Sequence, residues 1–168
     1  KSKCLHMAAN ASVLRGLLPP RLQQTKCSGG LTFGNAQARL KAGNARFVAN
    51  PAMALPIDPQ HRAEPGQGQM PFATVLTCAD GVVPPEVVFN ATLGDLVVVR
   101  SAGHVPDRAV LASLEHGVEQ LHTPLLVVMG HQMCSAVRTA IDGPVGESRG
   151  PNLDFLLKAL QPALTRSA

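Results

Sequence analysis

The 168-residue sequence contains no tryptophan and no tyrosine, and only five phenylalanines. Its core must therefore be built mainly from aliphatic side chains and methionine. No apolar run approaches the roughly 20 residues that a membrane-spanning helix needs, so we expect no membrane span. Because 45% of the residues are hydrophobic, the length suits one globular domain with a sizeable core and leaves little room for two.

Acidic residues are missing from the first third of the chain. Residues 1–57 carry eight basic side chains and no acidic one, whereas residues 58–168 carry all eleven acids and a net charge of −4. A basic patch can indicate nucleic-acid binding, but such proteins usually show a recognisable module or stacking aromatic side chains. Neither is visible, and the globular part is mildly acidic. The sequence therefore predicts no nucleic-acid partner.

Residues 1–30 form a basic leader that ends in Ser-Gly-Gly and that we expect to be disordered. Two interpretations stay open. The leader resembles part of an organelle transit peptide, which would place the protein in a chloroplast or mitochondrion. Alternatively, it is a linker or extension with no targeting role, which would leave the protein in the cytoplasm. Because position 1 is not Met, we expect a fragment or a processed form.

Cysteine is scarce, with four residues in the chain. The sequence lacks the short, cysteine-dense character of a disulfide-stapled secreted domain. Cys4 and Cys27 lie in the leader and are most simply spare thiols. Cys78 and Cys134 lie instead beside apolar segments, at positions where strands are expected to end, and they need another explanation.

Short apolar runs alternate with helical patterns after residue 70. Before them, residues 33–50 predict an amphipathic helix with Ala36, Leu40, Phe47 and Val48 near helical spacing, and residues 51–70 predict a loop. Buried strands are predicted over 72–78, 95–103 and 124–130. Helices are predicted from Pro84-Pro85, over 107–121 with an Asp107 N-cap, over 134–141, and over 152–164 with an interruption at Pro162.

This alternation predicts an α/β fold with a mainly parallel central sheet flanked by helices, preceded by an N-terminal helical arm. Ligands of such sheets collect at the carboxyl ends of the strands. Cys78 closes the first predicted strand and His131 follows the third. We therefore expect both residues at the same edge of the sheet.

Cys78, His131 and Cys134 supply two thiolates and one imidazole, a ligand set that suits zinc. Catalytic zinc sites typically use three protein ligands and leave one position open. Asp80 could fill the fourth position or act on a water molecule held there. The alternative is that these side chains are ordinary core residues, since free cysteine is often buried.

Five segments carry a resemblance to a known family. They are "RLKAGNARFV", "PFATVLTCADGVVPPEVVF", "LGDLVVVRSAGH", "PLLVVMGHQMCSAV" and "PNLDFLLKALQPAL". In this order and spacing they resemble the β-class carbonic anhydrases over about residues 31–165. We accordingly expect a domain of this type over 31–168, truncated at its C-terminus, because family members usually continue beyond the last of these segments.

The resemblance implies an α/β zinc enzyme that works as a homodimer or higher homo-oligomer. Cys78, His131 and Cys134 would bind one Zn²⁺ per chain, and Asp80 would either ligate zinc or help to handle its bound water. The implied reaction is the reversible hydration of CO2 to bicarbonate, in which zinc generates hydroxide at neutral pH. Carbonic anhydrases are the standard example of that chemistry.

The first motif departs from the family pattern Cys-x-Asp-x-Arg, because Val82 stands at the position of the arginine that pairs with the aspartate. Valine cannot orient a carboxylate, so Asp80 is freer to bind zinc and close the site. The reaction would then run with a poorly oriented base, or with Arg100 or another residue substituting in space. His104 and Ser135 also depart from the common Asn and Gly. Two alternatives to the enzyme therefore stay open: a catalytically impaired zinc-binding subunit, and a zinc hydrolase of another small heterocumulene.

Overall fold

The computed structural model describes residues 31–50, 52, 69–143 and 148–165. The leader over 1–30 and nearly all of the loop predicted over 51–70 lie outside the described residues. The strands are β1 (Ala73–Cys78), β2 (Leu96–Ser101) and β3 (Leu126–Met129). The helices are α1 (Phe33–Ala49), α2 (Pro85–Val88), α3 (Arg108–Glu119), α4 (Ser135–Asp142) and α5 (Pro151–Thr165), and a short 3₁₀ turn spans Ala102–His104.

The three strands form one parallel sheet with the order β2-β1-β3. Ala73 of β1 is in register with Leu96 of β2, and Thr74 is in register with Leu126 of β3. Helical segments connect the strands, as parallel pairing requires. The predicted α/β fold with a parallel sheet is confirmed.

The central strand β1 is buried along its whole length because helices cover both of its faces. Ala73 and Val75 belong to a cluster with Ala36 and Leu40 of α1. Leu76, on the opposite face, packs in a second cluster against α3. This alternation follows from the two-residue period of a strand.

Two threonines lie inside β1 without exposure to solvent, and each satisfies its hydroxyl. The hydroxyls of Thr74 and Thr123 are 2.7 Å apart, and Thr123 also donates to the Gly117 carbonyl. The Thr77 hydroxyl donates to the Met129 carbonyl at 3.0 Å and so links the carboxyl ends of β1 and β3. These bonds remove the cost of burying an unpaired polar group.

Capping side chains fix where two helices begin. The Asp107 carboxylate accepts the Val110 N–H at 2.8 Å, which confirms the N-cap predicted for α3. Thr32 caps α1 in the same way by accepting the Asn35 N–H at 3.2 Å. None of the helices in the described part of the chain is long and apolar enough to span a membrane.

Three details of the sequence-based expectations are wrong. Strand β2 is only half-buried rather than buried, because within the described residues it lies at an edge of the sheet. Val48 is exposed, and Gly43 instead joins Ala36 on the buried face of α1. Helix α5 runs through Pro162 without interruption, since a proline in the last turn removes only one of the helix's hydrogen bonds.

Candidate metal centre

The carboxyl ends of β1 and β3 bring four side chains with metal-binding atoms together. Cys78 is the last residue of β1, and Asp80 follows it in a turn. His131 lies in the loop after β3, and Cys134 is the N-cap of α4. Between these two, Met133 adopts a positive φ of 57°, a conformation that is uncommon outside glycine and that turns the chain sharply toward α4.

The metal-binding atoms of Cys78, Asp80, His131 and Cys134 all lie within 4.8 Å of one another. The two sulfur atoms are 3.6 Å apart, and His131 Nε2 lies 3.5 Å from Asp80 Oδ2. Both cysteines are free thiols and both are buried. The structure thus brings together all four residues that the sequence predicted for one site.

The chemistry of the imidazole fits a metal ion. His131 Nδ1 lies 2.9 Å from the Gln132 carbonyl, and because a carbonyl only accepts, Nδ1 must carry the proton. Nε2 then faces the sulfur atoms; it is buried and has no hydrogen-bond partner. A histidine whose other nitrogen donates to a carbonyl is the usual arrangement of a metal ligand. Two thiols and one such imidazole are a donor set that suits zinc.

The surroundings of the two thiols shift their pKa values in opposite directions. Burial would raise the pKa of Cys78, but the Asp80 N–H and the His131 side chain outweigh it and hold that pKa below its usual value. Burial and the neighbouring Cys78 instead raise the pKa of Cys134. His131 also lies beside Cys78, and this contact raises the histidine's pKa against the opposing effect of its burial. A deprotonated sulfur is the form that binds metals.

Asp80 is held by the first residue of α4. The backbone N–H of Ser135 donates to Asp80 Oδ2 at 3.1 Å, and the Ser135 hydroxyl lies 3.0 Å from both carboxylate oxygens. These contacts with Ser135 lower the pKa of Asp80 and outweigh its slight desolvation. The hydroxyl-bearing residue directly after Cys134 is the one signal of this contact in the sequence, and it does not reveal the partner.

Arg100 fastens the backbone of the turn after β1. Its Nε donates to the Cys78 carbonyl at 2.9 Å, and its Nη2 donates to the Asp80 carbonyl. The sequence suggested that Arg100 could substitute for the arginine missing at Val82. Its guanidinium hydrogen-bonds the backbone instead of the carboxylate, so its position stabilises the turn that carries both Cys78 and Asp80.

Arg100→Met should lower the free energy of unfolding by about 1–2 kcal/mol, because two carbonyls lose a charged donor that methionine cannot replace. Urea unfolding followed by circular dichroism measures the change. Arg138→Met is the matched control. Among the residues that the structure describes, the Arg138 side chain forms an exposed i,i+4 pair with Asp142 at 3.7 Å, so the change should alter stability by less than about 0.5 kcal/mol. Equal losses in the two variants would contradict the role of Arg100.

His104 is half-buried and forms a specific contact. Its Nε2 lies 2.8 Å from the Met129 carbonyl, to which it must donate. Its ring centroid lies 6.4 Å from that of His131, and its φ of 61° lies in the left-handed region. The structure gives His104 a structural role, because it joins the turn after β2 to the end of β3.

Comparison with known sequences identifies carbonic anhydrases among the relatives of this chain. The sequence profile of the family described as carbonic anhydrase matches residues 73–168. "Carbonic anhydrase 2" of Mycobacterium tuberculosis is 48% identical over 102 residues, which cover 61% of this chain and 49% of that protein. A carbonic anhydrase of Mycolicibacterium smegmatis is 47% identical over 102 residues, which cover 61% of this chain and 50% of the relative. The chain spans about half the length of these curated relatives.

Solved structures share the fold. A tetrameric β-carbonic anhydrase of Sordaria macrospora aligns with a TM-score of 0.56 and 22% identity, covering 77% of this chain and 64% of the other. The Coccomyxa β-carbonic anhydrase, solved with acetazolamide, aligns with a TM-score of 0.57 and 20% identity over 79% of this chain and 56% of the other. At these identities, the likeness establishes the architecture alone.

Proposed function

Because the chain belongs to the β-class carbonic anhydrase family, we propose that it binds one zinc ion and catalyses the reversible hydration of CO2 to bicarbonate. Cys78, His131 and Cys134 would hold the ion. The observation that carries the proposal is the convergence of their metal-binding atoms, with Asp80, within 4.8 Å around a buried His131 Nε2 that has no hydrogen-bond partner among the described residues.

Each residue of the site has a task that its position supports. Cys78 and Cys134 supply sulfur ligands from a buried position, where water competes poorly. The Gln132 carbonyl keeps the proton of His131 on Nδ1 and leaves Nε2 available as a ligand. When bound, zinc supplies the Lewis-acid chemistry that makes a water molecule nucleophilic near neutral pH, for which carbonic anhydrases are the standard example.

Asp80 would orient that water molecule. Its Oδ2 lies 3.5 Å from His131 Nε2, at the margin of the ligand cluster, and its side chain is partly exposed. An ionised carboxylate can only accept hydrogen bonds, so Asp80 can align the protons of a nearby water molecule. Ser135 fixes the direction in which the carboxylate faces.

The full 168-residue chain should contain about one zinc ion per molecule and accelerate CO2 hydration in a stopped-flow assay at alkaline pH. Removal of the metal by a chelator should abolish the acceleration, and added Zn²⁺ should restore it. A purified protein without zinc, or one that binds zinc and leaves the hydration rate unchanged, would contradict the proposal.

The variant Val82→Arg distinguishes the proposed enzyme from a second candidate, a catalytically impaired zinc-binding subunit. The exposed Val82 side chain favours this second candidate, because it cannot bind the Asp80 carboxylate. If the wild type is an enzyme, both proteins should hydrate CO2. An inactive wild type with recovery in Val82→Arg would instead mean that this chain binds zinc without catalysing the reaction. Equal zinc content in both proteins is the necessary control.

We also propose that the chain assembles as a homodimer or a larger homo-oligomer. Support comes from its fold, which it shares with the tetrameric Sordaria enzyme. Helix α1 adds a second argument, since it leaves Phe33 and Val48 more than half exposed. Light scattering coupled to size exclusion should give a mass of at least twice 17.6 kDa. A monomeric mass at micromolar concentration would contradict this assembly.

A further inference from the structure

The Asp80 carboxylate is bound by a neighbour that is not itself a metal ligand. Ser135 is the first residue of α4, so its N–H has no acceptor within the helix and is available to Asp80 Oδ2. Its hydroxyl, 3.0 Å from both carboxylate oxygens, supplies a second donor. One residue thus donates to this carboxylate through both its backbone and its side chain.

No second residue shares this task in the described part of the chain. The hydrogen bonds that the Asp80 carboxylate accepts there all come from Ser135. Arg100 donates its hydrogen bonds to backbone carbonyls, and Val82 is an exposed aliphatic side chain without a donor. The direction of the carboxylate therefore depends on Ser135.

The Asp80 carboxylate lies where it can either bind the metal ion or keep its hydrogen bonds with Ser135. Its Oδ2 is 3.5 Å from His131 Nε2, close enough for a small shift to make it a fourth protein ligand of an ion among the sulfur atoms. The hydrogen bonds from Ser135 favour the carboxylate where it is, because donors to a charged acceptor are among the stronger hydrogen bonds. A fourth protein ligand would close the position that a catalytic zinc site keeps open.

We propose that Ser135 is a positioning residue for Asp80, which it holds beside the metal position so that one coordination position stays open to solvent and substrate. This inference rests on the proposed function, since it presupposes a metal bound by Cys78, His131 and Cys134. The Ser135 hydroxyl and N–H would thus hold the Asp80 carboxylate in place, which the Val82 side chain cannot do.

The test uses the full chain loaded with Co²⁺, whose visible absorption reports its ligands, and titrated with azide as a small anion that needs an open position. Azide should change the spectrum of the wild type. In Ser135→Ala the apparent azide affinity should fall about tenfold, because Asp80 loses one charge-assisted hydrogen bond and competes for the metal. Ser135→Thr keeps the hydroxyl and should bind azide as the wild type does.

Repeating the Ser135 substitution in a variant that lacks Asp80 distinguishes a positioning role from a general structural effect. In Asp80→Ala, the further change Ser135→Ala should leave azide affinity unaltered, since no carboxylate remains to compete. Normal Co²⁺ uptake with equal azide affinities in wild type and Ser135→Ala would overturn this inference alone. A tenfold loss that persists in the Asp80→Ala background would overturn it too. A wild type that takes up no Co²⁺ would overturn the proposed function and this inference with it.

Discussion

Cys134→Ala is expected to retain less than about a tenth of a zinc ion per chain. Mutating a residue that only hydrogen-bonds a metal ligand typically lowers metal affinity by ~10- to 100-fold, and removing a ligand itself should lower it further. The Sγ of Cys134 lies 3.6 Å from that of Cys78, and without it two protein ligands would remain beside Asp80. CO2 hydration should fall to the uncatalysed background. Elemental analysis of the purified protein and a stopped-flow assay measure the two effects.

The control for thiol chemistry is Cys27→Ala, which changes a leader cysteine that the sequence predicts to be a spare thiol. It should keep the zinc content and activity of the wild type. Cys134 packs beside Ala136 and Leu160, so losing its sulfur should lower the free energy of unfolding by only about 1 kcal/mol beyond the loss of the metal. An unchanged circular dichroism spectrum would verify the fold. Wild-type zinc content in Cys134→Ala would contradict the assigned ligand set.

The convergence of the four site residues could be predicted from the sequence because parallel strands fix where the loops meet. Cys78 is the last residue of β1, and His131 follows the neighbouring parallel strand β3, so topology alone places them at one edge. The contact between Ser135 and Asp80 could not be predicted in this way. It depends on the positive φ of Met133, which sets the direction of α4, and on a side-chain rotamer.

Strand and helix positions followed from apolar periodicity, but the degree of burial did not. The run Val97-Val98-Val99 predicted a buried strand, yet an apolar run does not tell whether its strand lies at the centre or the edge of a sheet. In α1, periodicity selected Val48 and missed Gly43, because a residue without a side chain carries no hydropathy signal. Its burial depends on how closely a neighbouring backbone approaches.

Gly43→Ala is the second change for which we expect a large effect, a loss of about 3 kcal/mol in the free energy of unfolding and a fall of about 6–12 °C in Tm. A Cβ at this position would lie 1.8 Å from the Phe89 carbonyl oxygen and 2.8 Å from its carbon. Both atoms belong to the backbone, so no rotamer change relieves the overlap. Helix α1 would have to move away from the end of α2.

That movement would also strain two hydrogen bonds near Gly43. The Asn44 side chain donates to the Val88 carbonyl at 3.0 Å, and the Arg46 side chain donates to the Asn90 side chain at 2.9 Å. Gly34→Ala is the matched control in the same helix. Among the described residues, the atom nearest to a Cβ there would be the Thr32 hydroxyl oxygen at 3.9 Å, so stability should stay unchanged or rise by up to about 1 kcal/mol. Differential scanning calorimetry measures both variants. Equal Tm values for Gly43→Ala and Gly34→Ala would contradict the prediction and would mean that α1 unfolds independently of the sheet. A lower Tm in Gly43→Ala alone requires that α1 and the sheet unfold together.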